Sequence, residues 1–142
     1  MLSLTTINEF IEEQSEYLSK IDDLNFNTLQ FCRDIERSKA TSAMTLHILQ
    51  KLNAKLLLQL DTRKLTHFVG KIFKGYMQEV QYHNDMHALD VLQMCYIFMT
   101  KGKLIEFAQL SEMDTLSICI SAICHDYGHD GFTNAYHIND IS

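Results

Sequence analysis

The chain lacks proline altogether and has only 5 glycines in 142 residues. Average usage would supply roughly 7 prolines and 10 glycines in such a chain. So few breakers point to a mostly helical, all-α protein. A cysteine framework is missing too. Cys32, Cys95, Cys119 and Cys124 form no C-x-x-C pair, and three of them sit inside apolar runs. That usage suits reduced core thiols of an intracellular, cytoplasmic protein and not a disulfide scaffold. No apolar run approaches the roughly 18 residues of a membrane span. The N-terminal MLSLTTINEFIEEQSEY has early acids and no basic n-region, so it does not read as a signal peptide. Excess positive charge is also absent. The formal net charge is -6, which argues against non-specific binding to nucleic acid. It leaves room for a phosphate-bearing small molecule, because a metal can supply positive charge locally.

What is present describes an ordinary globular domain, with 46% hydrophobic and 21% charged residues. Thr6-Ile7-Asn8-Glu9 reads as a capping box opening a first helix, with Ile7, Phe10, Ile11, Tyr17, Leu18 and Ile21 on its apolar face. Its acidic face reads as solvated, with docking of a regulatory partner as the alternative. Asp22 to Asn27 reads as a connector, and Thr28 to Ile35 as a short helix. A helical pattern resumes at Ala43, and Leu56 to Leu60 is a compact apolar run. Asp61 then opens a strongly amphipathic helix over 62–78. The pattern predicts another helix over 85–100, closed by Lys101-Gly102-Lys103 with glycine as the C-cap. Ser111 to Asp114 opens the next one. Its stretch from Leu116 to Cys124 is apolar all round apart from two serines, so it is expected at the centre of the core.

Two polar clusters interrupt this pattern. The apolar helix ends in His125-Asp126, followed by Tyr127-Gly128-His129. Adjacent His and Asp read either as a nitrogen and a carboxylate for a divalent metal or as a polar helix end with a capping acid. The other cluster is Tyr82-His83-Asn84-Asp85-Met86-His87, with Asp90 three residues on. His83 and His87 have helical i, i+4 spacing, and Asp90 could accept the second ring N–H of His87. Alone, that pair reads as an exposed helix start. Taken together, His87, His125 and Asp126 make two imidazoles and a carboxylate from different helices, a plausible metal shell with open positions. His47 and His67 read as surface or satisfied helix residues, the methionines as core filler, and His137 carries no assigned role.

Here the residues resemble a family. Tyr82-His83-Asn84-x-x-His87-Ala88-x-Asp90-Val91-x-Gln93 is similar to the first signature of the class I cyclic nucleotide phosphodiesterase catalytic domain. His125-Asp126-Tyr127-x-His129-x-Gly131-x-Thr133-Asn134-x-x-His137-Ile138 resembles its second. The likeness covers residues 26–142, with 1–25 as a preceding helix, and its finer details lean to the calmodulin-stimulated branch. It implies hydrolysis of 3′,5′-cyclic nucleotides, cAMP or cGMP, to 5′-monophosphates. His83 would be the general acid, and His87, His125 and Asp126 the ligands of a zinc ion. Asp126 would also bridge to magnesium. His129, Asp90 and Asn134 would support the ligands from behind, and Tyr82 would lie against the substrate. Asp130 and Tyr136 depart from the family's usual Pro and Phe. The family's third block, its fourth protein ligand and its purine-recognising residues have no counterpart in these 142 residues. The expectation is therefore a partial catalytic domain, weak or inactive alone, with a C-terminal half or partner still to be supplied. The alternative is a truncated, non-catalytic protein that binds metal or a partner.

Overall fold

A computed structural model describes residues 4–57 and 59–140, without the side chains of residues 4–7 and 54. Among the described residues there are helices and no strands. In order they are α1 (Leu4–Glu13), α2 (Ser15–Leu18), α3 (Thr28–Asp34), α4 (Arg37–Leu52), α5 (Ala54–Leu57), α6 (Thr62–Lys74), α7 (Asp85–Thr100), α8 (Leu104–Ala108), α9 (Glu112–Cys124) and α10 (Asn134–Asp140). Three starts follow directly from capping chemistry. Asp61 accepts the N–H groups of Arg63 and Lys64. Asn84 accepts those of Met86 and His87. Ser111 and Asp114 form a reciprocal capping box. α1 begins upstream of Thr6, so its start is not the capping box expected there.

The centre of the core is α4, and not the Leu116–Cys124 helix. α4 packs against α1, α3, α5, α6, α7 and α9, and it begins six residues before the periodic pattern, at Arg37. Its buried face holds Ala40, Met44, Ile48 and Leu49, each fully buried, and a buried Ile or Leu stabilises by about 1.5–3 kcal/mol. The same helix hides Thr41, Ser42 and Thr45. Thr41 Oγ1 donates to Arg37 O at 3.0 Å and Thr45 Oγ1 to Thr41 O at 2.8 Å. Hydroxyls that return to the preceding turn bury cheaply, so a polar-looking segment can be the core. α9 instead packs mostly on α7, buries Cys119, Ala122 and Ile123, and leaves Leu116, Ile118 and Ile120 half-buried.

The remaining differences are local. α6 stops at Lys74, short of 78, and Gly75 caps it. Tyr76 leaves the helix and donates its hydroxyl to Ile123 O at 2.9 Å, tying the ends of α6 and α9 together. The Nε2 of His47 is buried and has no hydrogen-bond partner among the described residues. Burial accordingly holds its pKa below the ordinary value.

At the end of α7, Gly102 N–H donates to Ile97 O at 2.9 Å, but the left-handed residue is Lys103, at φ 57°. Glycine is needed at 102 for a different reason. A Cβ there would sit 2.6 Å from the backbone oxygen of Phe98. A backbone atom inside a helix cannot yield as a side-chain tip can. Gly102→Ala is expected to cost about 1–3 kcal/mol in urea unfolding, whereas a cost near zero would show that the α7 end relaxes freely.

Candidate metal centre

The start of α7 and the end of α9 meet because the two helices pack along their apolar faces. Asn84 organises the first of these ends. It is buried, its amide donates to Val80 O (2.8 Å) and Gln81 O (3.2 Å), and its Oδ1 caps α7. This leaves His83 just outside the helix and His87 inside its first turn. Asp85, the first helical residue, is buried and paired with Arg37 of α4, with Arg37 Nε 3.0 Å from Asp85 Oδ2. At the other end, Gly128 (φ 74°) and Gly131 (φ 91°) turn the chain away from α9 in a left-handed conformation that suits glycine.

These ends bring His87, His125 and Asp126 together. One ligand atom from each lies within 4.8 Å of the others. Asp126 Oδ2 is 3.0 Å from His125 Nε2 and 3.5 Å from His87 Nε2. The proton positions follow from the partners. His125 Nδ1 lies 2.8 Å from Ala122 O, which can only accept, so Nδ1 carries the hydrogen. With Nδ1 carrying that hydrogen, His125 presents Nε2 toward a carboxylate oxygen. Burial, and next the adjacent His125, hold the His87 imidazole below its ordinary pKa, favouring its neutral form. Among the described residues, Asp126 Oδ2 is buried and has no hydrogen-bond partner. Two imidazole Nε2 atoms converging on one buried carboxylate oxygen fit a divalent cation.

The other expected residues are placed unequally. His83 stacks on His129, with ring centroids 4.1 Å apart and planes 20° apart. His129 Nδ1 accepts the Gly131 N–H at 2.9 Å, so its ring is pinned from the loop side. Tyr82 lies against His87 at 4.4 Å and against His83 at 5.0 Å, yet is 64% exposed. Asp90 makes no hydrogen bond to His87 among the described residues, and acts on it through charge alone. Asn134 is exposed at the start of α10, outside the cluster. His137 gains a partner that its sequence context did not suggest, Asp130 Oδ2 at 3.0 Å. Sequence reasoning also missed Arg37. An Arg 48 positions from its acid leaves no periodic signal.

Fold and site together define an all-α protein with a candidate divalent-metal centre between two helix ends. Residues 82–142 match the family described as 3′5′-cyclic nucleotide phosphodiesterase. The chain is 33% identical over 81 residues to the 3′,5′-cyclic-nucleotide phosphodiesterase regA of Dictyostelium discoideum, which covers 57% of this chain and 10% of that protein. It is 32% identical over 104 residues to the dual specificity calcium/calmodulin-dependent 3′,5′-cyclic nucleotide phosphodiesterase 1B of Bos taurus, which covers 72% of this chain and 19% of that one. The high affinity cGMP-specific 3′,5′-cyclic phosphodiesterase 9A of Drosophila melanogaster is 30% identical over 105 residues, covering 70% and 7%. The chain thus spans a fifth or less of the length of these curated relatives. It belongs to the 3′,5′-cyclic nucleotide phosphodiesterase family and carries part of a class I domain.

Proposed function

We propose that this chain supplies the first half of the catalytic site of a cyclic nucleotide phosphodiesterase, acting on cAMP or cGMP in the cytoplasm. The observation that carries the reading is the orphaned Asp126 Oδ2 facing His87 and His125 within a matched family segment. In this reading residues 26–142 are the N-terminal part of the catalytic domain, and 1–25 a helical segment before it. His87, His125 and Asp126 would hold zinc, and Asp126 would also serve a magnesium ion. Cations held there acidify water and stabilise the charge that develops at phosphorus. His83 donates a proton to the 3′ oxygen as its bond to phosphorus breaks, so the alkoxide leaves as a hydroxyl. The His129 ring keeps His83 oriented for that transfer. Tyr82 offers an exposed ring at the mouth of the site, Asp90 adds negative charge behind His87, and Asn134 supports the site from the start of α10.

A chimera tests these roles. Residues 82–142 replace the matched stretch of the bovine 1B enzyme, and hydrolysis is followed with cyclic AMP, cyclic GMP and nucleoside monophosphates. The chimera is expected to hydrolyse the cyclic substrates, and His83→Ala to lower its turnover by about 100-fold with zinc affinity unchanged. Unchanged turnover, or hydrolysis of non-cyclic nucleotides alone, overturns the assignment. The 142-residue chain by itself is expected to give little turnover, because the described residues offer only three ligands in one metal cluster. The same three-ligand observation favours the second reading, a metal- or partner-binding protein without catalysis.

A further inference from the structure

Away from the metal centre, α4 and α6 face one another across a cleft of about 260 Å³. Small side chains leave it unfilled. Ser38, Thr41 and Ser42 line it from α4, Thr66 and Gly70 from α6, and Phe73 adds an aromatic wall. Its charges are not balanced. Two acids border the cleft, Glu36 and Asp85, but each is already paired, Glu36 with Lys39 and Asp85 with Arg37. Lys71 and Lys74 also line it, and neither forms an ion pair among the described residues. Thr66 adds an independent mark. It is only 5% exposed, lines the cleft, and its Oγ1 is buried without a hydrogen-bond partner among the described residues. A buried hydroxyl left unpaired costs about 1–3 kcal/mol unless a ligand or water meets it.

We propose that this cleft binds a small organic phosphate. The two ammonium groups neutralise the anion as point charges, the Thr66 hydroxyl donates to one of its oxygens, and the organic part lies on Phe73. Carboxylates would find the same cations, but a phosphoryl group has more oxygens to occupy both lysines and the threonine at once. None of His83, His87, His125, Asp126 and His129 lines this site, although Asp85, which anchors the start of α7, does. It does not rest on the phosphodiesterase reading.

The test uses the full 142-residue chain with phenyl phosphate as the probe and a chelator present, so that no metal-held phosphate contributes. Calorimetric titration is expected to show saturable one-to-one binding. The Lys71→Ala/Lys74→Ala variant should weaken it by about fivefold or more, and Thr66→Val should weaken it further. Gly70→Leu should abolish binding by filling the cleft. A Cβ at Gly70 meets nothing within 4 Å, and replacing a mid-helix glycine favours the helix, so this variant keeps the fold, as circular dichroism would verify. Absence of saturable binding by the parent chain overturns the proposal. So does binding that survives Gly70→Leu, or that is lost in His125→Ala while the lysine variant keeps it.

Discussion

Arg37→Ala is expected to destabilise the chain by about 3–5 kcal/mol in denaturant unfolding. The reason is the burial of its partner. The Asp85 side chain is 2% exposed and that of Arg37 25%, so removing the guanidinium strands a carboxylate where water does not reach it. A domain of this size commonly has only about 5–15 kcal/mol to lose. The double variant Arg37→Met/Asp85→Leu is expected to recover most of the loss, because two apolar groups of similar volume leave no charge behind. A small cost for Arg37→Ala alone would mean that Asp85 is solvated by another route. The pair also fixes the start of α7 to α4, and with it the approach of His83 and His87 to the end of α9.

Asp126→Ala is expected to lower zinc affinity on the order of 1,000-fold, more than the 10–100-fold typical of losing a group behind the ligands. Asp126 is the sole carboxylate of the cluster, and both imidazole Nε2 atoms converge on its Oδ2. The sign of the stability change separates this role from a structural one. Without metal, the unpartnered oxygen is a burden on the fold, so Asp126→Asn should leave thermal stability unchanged or raised while zinc binding falls. Functional sites commonly show this trade. Loss of both would make Asp126 a structural residue, and unchanged zinc binding would show that the ligands are elsewhere.

Part of this was legible before any coordinates. α7 runs from Asp85 to Thr100 as its periodicity indicates, and Asp61 and Ser111 cap the helices they were expected to start. Capping and amphipathicity are local properties, carried by residues within a turn of one another. The two His clusters were visible for a related reason: uncommon residue types recurred in a pattern that resembled one family, and the family match covers both. The burial of α4 was not legible, because Thr41 and Thr45 look polar until their hydroxyls are seen returning to the preceding turn. Nor was the true reason for Gly102, which depends on a backbone oxygen one helical turn away.

By itself, then, the amino-acid sequence determined the helical class, the starts of α3, α6, α7 and α9 and the candidates for metal ligands, since each depends on side-chain chemistry and short-range spacing. Only the tertiary structure decided which of those residues meet. His87 and Asp126 are far apart along the chain, and their 3.5 Å approach exists because α7 and α9 pack together, with Arg37 holding one end and Tyr76 the other. Packing also sorted the supporting residues: it stacked His129 on His83 and left Asn134 exposed at the start of α10. Long-range contacts of this kind are set by which apolar faces bury one another, and no local spacing encodes that choice.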